Sequence, residues 1–200
     1  MDRIERLASH LSHHGLCRAR DLVAAGFPRQ DLQALHKSGR IVRLAPGVYQ
    51  MADAPVGEYP GYAELFLRSP LAVLCLLSAL RFHGITTQLP YQIWIALEKN
   101  ARAPRLAYPP LQVVRFSGEA FAQGIENHVR DGVAIRVYSV AKTVADMFKM
   151  RNTVGVDAAM EALRDALGTR KATRGEILAM AKVCRMERVM RPYLEMEAGQ

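Results

Sequence analysis

Residues 15–51 contain the pattern that most narrowly limits how this chain can fold. Two short helical patterns, about 18–25 and 29–38, are separated by Gly26, which can supply the positive φ of a tight turn. A basic segment follows, in which Ala45-Pro46-Gly47 makes a turn and residues 48–51 form a return strand, so this segment predicts a β-hairpin. Two helices, a tight turn and a hairpin together predict a winged helix-turn-helix.

The second helix of this pattern has one apolar side and one polar side. Phe27, Leu32 and Leu35 are expected to face the core. The polar side consists of Arg29, Gln30, Gln33 and Lys37. Long side chains that donate hydrogen bonds suit base edges and phosphates in the major groove of DNA. This outer face therefore predicts base recognition.

Further arginines flank the second helix. The first helix is expected to point Leu22 and Val23 inward. The candidate phosphate contacts are Arg18 and Arg20 at the start of the first helix, and Arg40 and Arg43 at the hairpin. Contacts of this kind position a protein on DNA without reading its sequence. The alternative is a winged helix that docks a protein, with a basic face that is only solvated.

The net charge of the chain favours a polyanionic partner without naming it. The formal charge is +8. Within residues 1–50, however, eight Lys or Arg stand against four acids, which is a modest excess. We therefore expect DNA affinity to depend on a dimer, or on two copies that engage two half-sites.

The rest of the chain predicts a second, mixed α/β region. A linker is expected at 53–61, then a helix at 62–68 and a buried apolar helix at 71–83. Strands are expected at 91–97, 111–116, 125–129 and 133–137, the last two joined by a turn at Asp131-Gly132, in a mixed or antiparallel sheet of about four strands. Helices are expected at 140–150, 157–167, 173–184 and 187–195, with Ser139 capping the first and Thr173 and Glu176 forming a capping box.

These elements give the predicted fold class. It is α+β, with an N-terminal winged helix-turn-helix followed by a mixed α/β domain that has a small sheet and a helical C-terminal end. The predicted domains are residues 1–52, a linker at 53–61, and residues 62–200.

Several side chains could suggest chemistry, and each has a plainer interpretation. Ser78 and His83 lie five residues apart on one predicted helix and face different sides, which disfavours a nucleophile and its base. Lys142 and Asp146, four residues apart, are expected to form a local or buried pair rather than an active site.

Metal and redox chemistry are also disfavoured. His10, His13 and His14 lack a further ligand at a useful spacing, and histidines at a helix C-terminus interact favourably with the helix dipole. The three cysteines, Cys17, Cys75 and Cys184, follow no zinc spacing and are expected to be free, buried and inert. No metal site and no cofactor is predicted.

No sequence motif in the chain indicates an enzymatic reaction. GxGxxG, Walker A, HExxH and GxSxG are absent, as is a convincing carboxylate pair, so the chain is not expected to be an enzyme. The N-terminus does not resemble a signal peptide, and the longest apolar stretch, 71–80, is about half of a membrane span. We expect a cytoplasmic protein with no membrane partner.

Residues 132–167, GVAIRVYSVAKTVADMFKMRNTVGVDAAMEALRDAL, resemble the C-terminal region of AbiEi-family antitoxins of type IV toxin–antitoxin systems. The resemblance extends through SALRFHGI at 78–85 and YQIWIAL at 91–97. It includes residues 15–49, which look like the winged helix of that family. The segment around 138–146 is the most specific part, and residues 185–200 match least well.

The resemblance implies a function for each region. The N-terminal domain would repress its own operon by binding inverted repeats in the promoter. The C-terminal domain would counter a toxin of the nucleotidyltransferase type encoded next door, with or without a stable complex. One alternative is an interaction module that neutralises a toxin by direct binding, with little role for DNA. A nuclease is the last alternative, and the second region lacks the cluster of acids that it would need.

Overall fold

A computed structural model describes residues 2–54, 60–86, 90–106, 108–130 and 132–197. The chain forms two compact units. The first contains residues 1–70 and 128–135, and the second contains residues 71–127 and 136–200. Most of the predicted linker, at 55–59, lies outside the described residues, as does Asp131 of the predicted hairpin turn. The predicted domain boundaries therefore remain a prediction.

The first unit combines helices with a three-stranded sheet. Its elements are α1 (Arg3–His14), β1 (Cys17–Arg18), α2 (Ala19–Ala24), α3 (Arg29–Lys37), β2 (Ile41–Ala45), β3 (Val48–Met51) and α4 (Pro60–Arg68). The strands follow the order β1-β3-β2, and both pairings are antiparallel. Arg43 pairs with Tyr49, and the register shifts between Arg43 and Ala45. This irregularity leads directly into the turn that joins β2 to β3.

The core of the first unit follows from helical spacing. Leu7 and Leu11 lie four residues apart in α1 and therefore share one face of the helix. Both are fully buried on that face. They pack in one cluster with Leu22, Leu32, Leu35 and Ile41. A cluster of this kind orients α2, α3 and the first hairpin strand around a common centre.

The second unit holds the larger sheet. Its elements are β4 (Val73–Leu74), α5 (Leu76–Phe82), β5 (Ile93–Glu98), β6 (Leu111–Phe116), α6 (Glu119–Ala122), β7 (Ile125–Arg130), β8 (Val133–Tyr138), α7 (Val140–Lys149), α8 (Arg151–Val154), α9 (Val156–Gly168), α10 (Arg174–Val183) and α11 (Glu187–Met196). Residues 128–135, which belong to β7 and β8, are grouped with the first unit. The strand order is β6-β5-β4-β8-β7. β4 pairs antiparallel with β5 and parallel with β8, and β5 pairs parallel with β6. The sheet is therefore mixed, as the sequence allows.

Helix α7 is central to the second unit, since α5, α9, α10 and α11 all pack against it. The hydroxyl of Ser139 caps α7 by accepting from the backbone N–H of Lys142. Thr173 and Glu176 form the predicted capping box of α10. The mixed α/β class, the small sheets and the helical C-terminal end are thus confirmed.

Two expectations about helices are wrong. Residues 71–83 are not one helix, because Val73 and Leu74 form the central strand β4 and the helix begins only at Leu76. A short apolar run cannot be assigned to helix or strand by periodicity alone. Val23 is not buried either, since its side chain is 41% exposed. Helix α2 has only six residues, and Leu22 is its one buried residue, while Ala19 packs partly against the core.

Among the described residues, no helix has the length and apolar character that crossing a membrane would require.

Candidate nucleic-acid interface

Helix α3 presents the polar face expected from the sequence. Its exposed side chains include Arg29, Gln30, Gln33 and Lys37. Leu32 and Leu35 are 3% and 1% exposed and hold the opposite face in the core. Because both leucines fix the rotation of the helix, the four long polar side chains project into solvent together. Among the described residues, neither Arg29 nor Lys37 has an ion pair, so the charge of both remains available.

The turn before α3 sets the direction of the helix. Gly26 has φ of +92°, which an L side chain rarely adopts. The N–H of Phe27 donates to the carbonyl of Leu22 at 3.0 Å and closes the turn. Pro28 then occupies the N-cap of α3 with φ of −61°. The turn therefore joins α2 to α3 through hydrogen bonding and restricted backbone angles.

An ion pair between α1 and α3 fixes the helix further. Asp31 is 5% exposed, and the Arg3 guanidinium donates to both of its carboxylate oxygens at 2.5 and 2.9 Å. Sequence reasoning missed this pair. A signal was available, because Asp31 lies four residues before the buried Leu35 and hence on the core side of the helix. A bidentate pair of this kind holds both groups in a defined orientation.

The candidate phosphate contacts all interact with other groups of the protein. Arg43 is exposed on β2. Arg40 donates to both oxygens of Glu5 at 2.6 and 3.0 Å, and this pairing lowers the pKa of Glu5. A DNA phosphate would therefore compete with Glu5 for Arg40.

The two remaining arginines also have partners. Arg20 donates to Asp21 at 3.3 Å. Arg18 donates to the carbonyl of Phe66 at 3.3 Å, and its side chain is only 15% exposed. Burial lowers the pKa of Arg18. Arg18 thus contributes to the packing of the first unit in addition to its charge.

The histidines of α1 make local contacts. Nδ1 of His13 lies 2.8 Å from the carbonyl oxygen of Ser9, and Nδ1 of His14 lies 3.0 Å from that of His10. The described part of the chain contains no group of three or more His, Cys, Asp or Glu that could hold a metal ion. The contacts fit the interpretation of these histidines as helix-end residues.

Lys142 and Asp146 form a buried ion pair in the second unit. Both side chains are fully buried, and Lys142 Nζ lies 2.5 Å from Asp146 Oδ2. Lys142 Nζ also lies 4.1 Å from the centre of the Tyr138 ring. Gly124 makes room for this lysine, because a Cβ there would lie 2.7 Å from the Cβ of Lys142.

Cysteine and tyrosine complete this buried cluster. The Cys184 thiol donates to Asp146 Oδ1 at 3.2 Å, and burial raises the pKa of Cys184 to about 12. The hydroxyl of Tyr138 donates to the carbonyl of Phe121 at 2.8 Å. Burial also raises the pKa of Asp146, although Lys142 opposes that effect. A satisfied, solvent-excluded cluster supports the structural role expected of the Lys142–Asp146 pair.

The other polar side chains singled out in the sequence are also satisfied. Ser78 Oγ accepts from the backbone N–H of Trp94 at 2.9 Å. His83 Nε2 lies 2.8 Å from the carbonyl oxygen of Tyr138. All three cysteines are free, and Cys17 is partly buried rather than buried. None of these groups is arranged as a nucleophile with its base.

Comparison with known proteins identifies the N-terminal segment. Residues 5–52 match the family model described as "Transcriptional regulator, AbiEi antitoxin". The fold is similar to that of the RV2827C protein from Mycobacterium tuberculosis, with a TM-score of 0.55 and 15% sequence identity, over 96% of this chain and 80% of that one. No curated protein matches the chain. The predicted resemblance to AbiEi antitoxin regulators is thus confirmed by residues 5–52, the segment that contains α1 to β3.

Proposed function

We propose that this protein is a DNA-binding transcriptional repressor and the antitoxin of a type IV toxin–antitoxin system. The observation that carries the proposal is the AbiEi match over residues 5–52, the same segment in which α3 exposes a face of hydrogen-bond donors. The proposed partner is double-stranded operator DNA with inverted repeats, bound by a dimer. The proposed location is the cytoplasm.

In this proposal the N-terminal segment is a winged helix-turn-helix. Helices α2 and α3 form the helix-turn-helix, and β2 and β3 form the wing. Arg29 and Gln33 lie four residues apart on the exposed face of α3, so both could reach base edges along one groove. Repression follows from occupancy of the promoter.

Positioning on the duplex would come from the arginines around α3. Arg43 on the proposed wing meets the sugar–phosphate backbone. Arg40 would exchange Glu5 for a phosphate or contact DNA while it remains paired, so the pair with Glu5 is expected to reduce its contribution. Arg18 and Arg20 add positive charge at the start of α2. The nearby carboxylate of Asp21 partly offsets that charge.

The antitoxin role is assigned to the region 62–200. Its proposed target is a toxin of the nucleotidyltransferase type encoded by the adjacent gene. We propose no enzymatic activity, because the polar clusters described in this region are buried or satisfied within the protein. The identity of the adjacent gene tests this assignment directly, since a nucleotidyltransferase there is required.

The DNA-binding proposal is tested by gel-shift titration with the promoter DNA of the chain's own operon. The Arg29→Ala, Gln33→Ala double variant should lose discrimination between operator and random DNA, since each good bidentate base contact is worth about 1–3 kcal/mol. Arg188→Ala removes an exposed arginine from α11 and serves as the matched control. Equal operator affinity for the wild type and the double variant would reject the assignment.

A single substitution in the proposed wing distinguishes contacts to the DNA backbone from contacts that recognise bases. Arg43→Ala should weaken binding to operator and to random DNA alike, and should reduce the salt dependence by about one charge. A loss confined to operator DNA would instead place Arg43 among the base-reading residues. Toxin neutralisation by the Arg29/Gln33 double variant then shows whether the antitoxin role needs DNA at all.

A further inference from the structure

A groove of about 850 Å³ runs along the edge of the larger sheet in the second unit. Residues 112–117 of β6 and the following loop form one wall, and the ends of α7 and α10 contribute to the other. Ligand sites in proteins have volumes of about 300–1,000 Å³. The groove therefore has the size of a binding site, and all of its lining residues belong to the second unit.

Strand β6 is the outermost strand of its sheet. It pairs with β5 along one edge, and its other edge pairs with no strand among the described residues. An edge strand leaves a row of backbone N–H and C=O groups that another extended chain can bind. Because β6 has six residues, it offers a pairing edge of roughly 20 Å.

The charged residues of the groove are mostly positive. They are Arg115, Lys149 and Arg185, with Glu119 as the one acid among the lining residues. Arg115 donates to the carbonyls of residues 98, 99 and 101, and Lys149 Nζ lies 5.3 Å from the centre of the Phe116 ring. Arg185 is exposed and has no ion pair among the described residues.

Two further features belong to residues that line this groove. Arg185 follows α10 with φ of +59°, a conformation that glycine adopts more easily than any other residue. Trp94 lines the groove, and its buried indole N–H has no hydrogen-bond partner among the described residues.

We propose that this groove binds an extended acidic peptide segment of a partner protein, which adds to the sheet beside β6. Backbone pairing supplies affinity, and Lys149 and Arg185 select negative side chains. A second copy of this chain would bring the same positive charges to the interface, so like-charge repulsion disfavours it. A nucleic acid carries the right charge, but its backbone lacks the alternating donors and acceptors that an edge strand pairs with.

The test uses the full chain and a fluorescein-labelled decapeptide in which valine and glutamate alternate. In one matched peptide lysine replaces glutamate, and in the other every backbone nitrogen carries an N-methyl group while the charge is kept. Fluorescence polarisation should show the acidic peptide binding at least about tenfold more tightly than either matched peptide. Hydrogen exchange should show new protection at amides within residues 111–116.

Two glycine variants link the binding to the groove. Arg185→Gly removes the charge at a position with positive φ, which glycine adopts without steric strain. The fold should therefore be retained, while the peptide affinity falls about tenfold. Arg170→Gly is the matched control, since Arg170 is also an exposed arginine with positive φ but lies outside the groove.

The outcomes decide the proposal without reference to DNA binding by α3. Equal binding of the acidic and N-methylated peptides, or an equal loss in both glycine variants, would overturn it. So would the absence of binding to the acidic peptide, or tighter binding of a single-stranded oligonucleotide that depends on Arg185. Loss of operator binding in the Arg29/Gln33 double variant affects only the proposed function and leaves this test unchanged.

Discussion

Helices α3 and α7 have similar sequence patterns and opposite environments. Each places polar residues four positions apart, Arg29 and Gln33 in α3 and Lys142 and Asp146 in α7. In α3 both side chains are exposed, whereas in α7 both are fully buried. The neighbours explain the difference, because α7 is packed by helices on several sides and α3 contributes only one face to its core.

This comparison teaches that spacing alone does not tell a recognition face from a buried ion pair. An exposed polar face keeps its charges for a partner at little energetic cost. A buried pair must satisfy its charges within the protein, since burying an unpaired charge is expensive. Variants in the two helices should therefore differ most in their effect on stability.

The largest expected effect is that of Asp146→Ala. This variant leaves the Lys142 ammonium buried without its carboxylate, and should lower the free energy of unfolding by about 3–5 kcal/mol. Urea denaturation followed by circular dichroism measures the change. The Lys142→Met, Asp146→Leu double variant removes both charges and should recover most of the loss. A loss of less than about 1 kcal/mol in Asp146→Ala would show that solvent reaches the pair.

A smaller effect is expected from Ser139→Ala at the start of α7. The variant removes the hydroxyl that accepts from the backbone N–H of Lys142, and should cost about 0.5–2 kcal/mol. Ser139→Asp retains a capping acceptor and should be tolerated better. Helix α3 has no side-chain cap at Pro28, so the two helices also differ in what holds their first turn. Equal stability of the alanine and aspartate variants would contradict this role.

The outer face of α3 should contribute little to stability. Arg29→Ala with Gln33→Ala should change the free energy of unfolding by no more than about 0.5 kcal/mol, because both side chains are exposed. Thermal unfolding checks this expectation on the same samples that are used for DNA binding. A large loss would mean that α3 is not simply a presented surface, and would undermine the use of the double variant as a binding probe.

The smallest effect concerns the exposed pair of Glu5 and Arg40. Arg40 lowers the pKa of Glu5 in the folded state, so the pair stabilises the fold above the unfolded-state pKa of about 4.3. That contribution should fade as the pH falls through the lower, folded-state pKa. Glu5→Gln should flatten this part of the stability profile, measured by urea denaturation between about pH 3 and pH 6. An unchanged profile would show that the pair contributes nothing in solution.

Much of the first unit could be predicted from local patterns. The core positions of α3, the Gly26 turn and the hairpin all depend on residues close together in the chain, so periodicity and turn chemistry reach them. The partners of the arginines could not be predicted. Glu5 lies 35 residues before Arg40, and Phe66 lies 48 residues after Arg18, so only the folded chain brings each pair together.

The sequence by itself determined the mixed α/β class, the AbiEi resemblance and the polar face of α3, because each is written in residue types at short spacing. Only the tertiary structure decided that Val73 and Leu74 form a central strand rather than a helix, since their environment comes from β5 and β8. It also decided the open edge of β6 and its groove. An edge exists only once strands have been ordered in a sheet, and no local pattern states which strand will lie outermost.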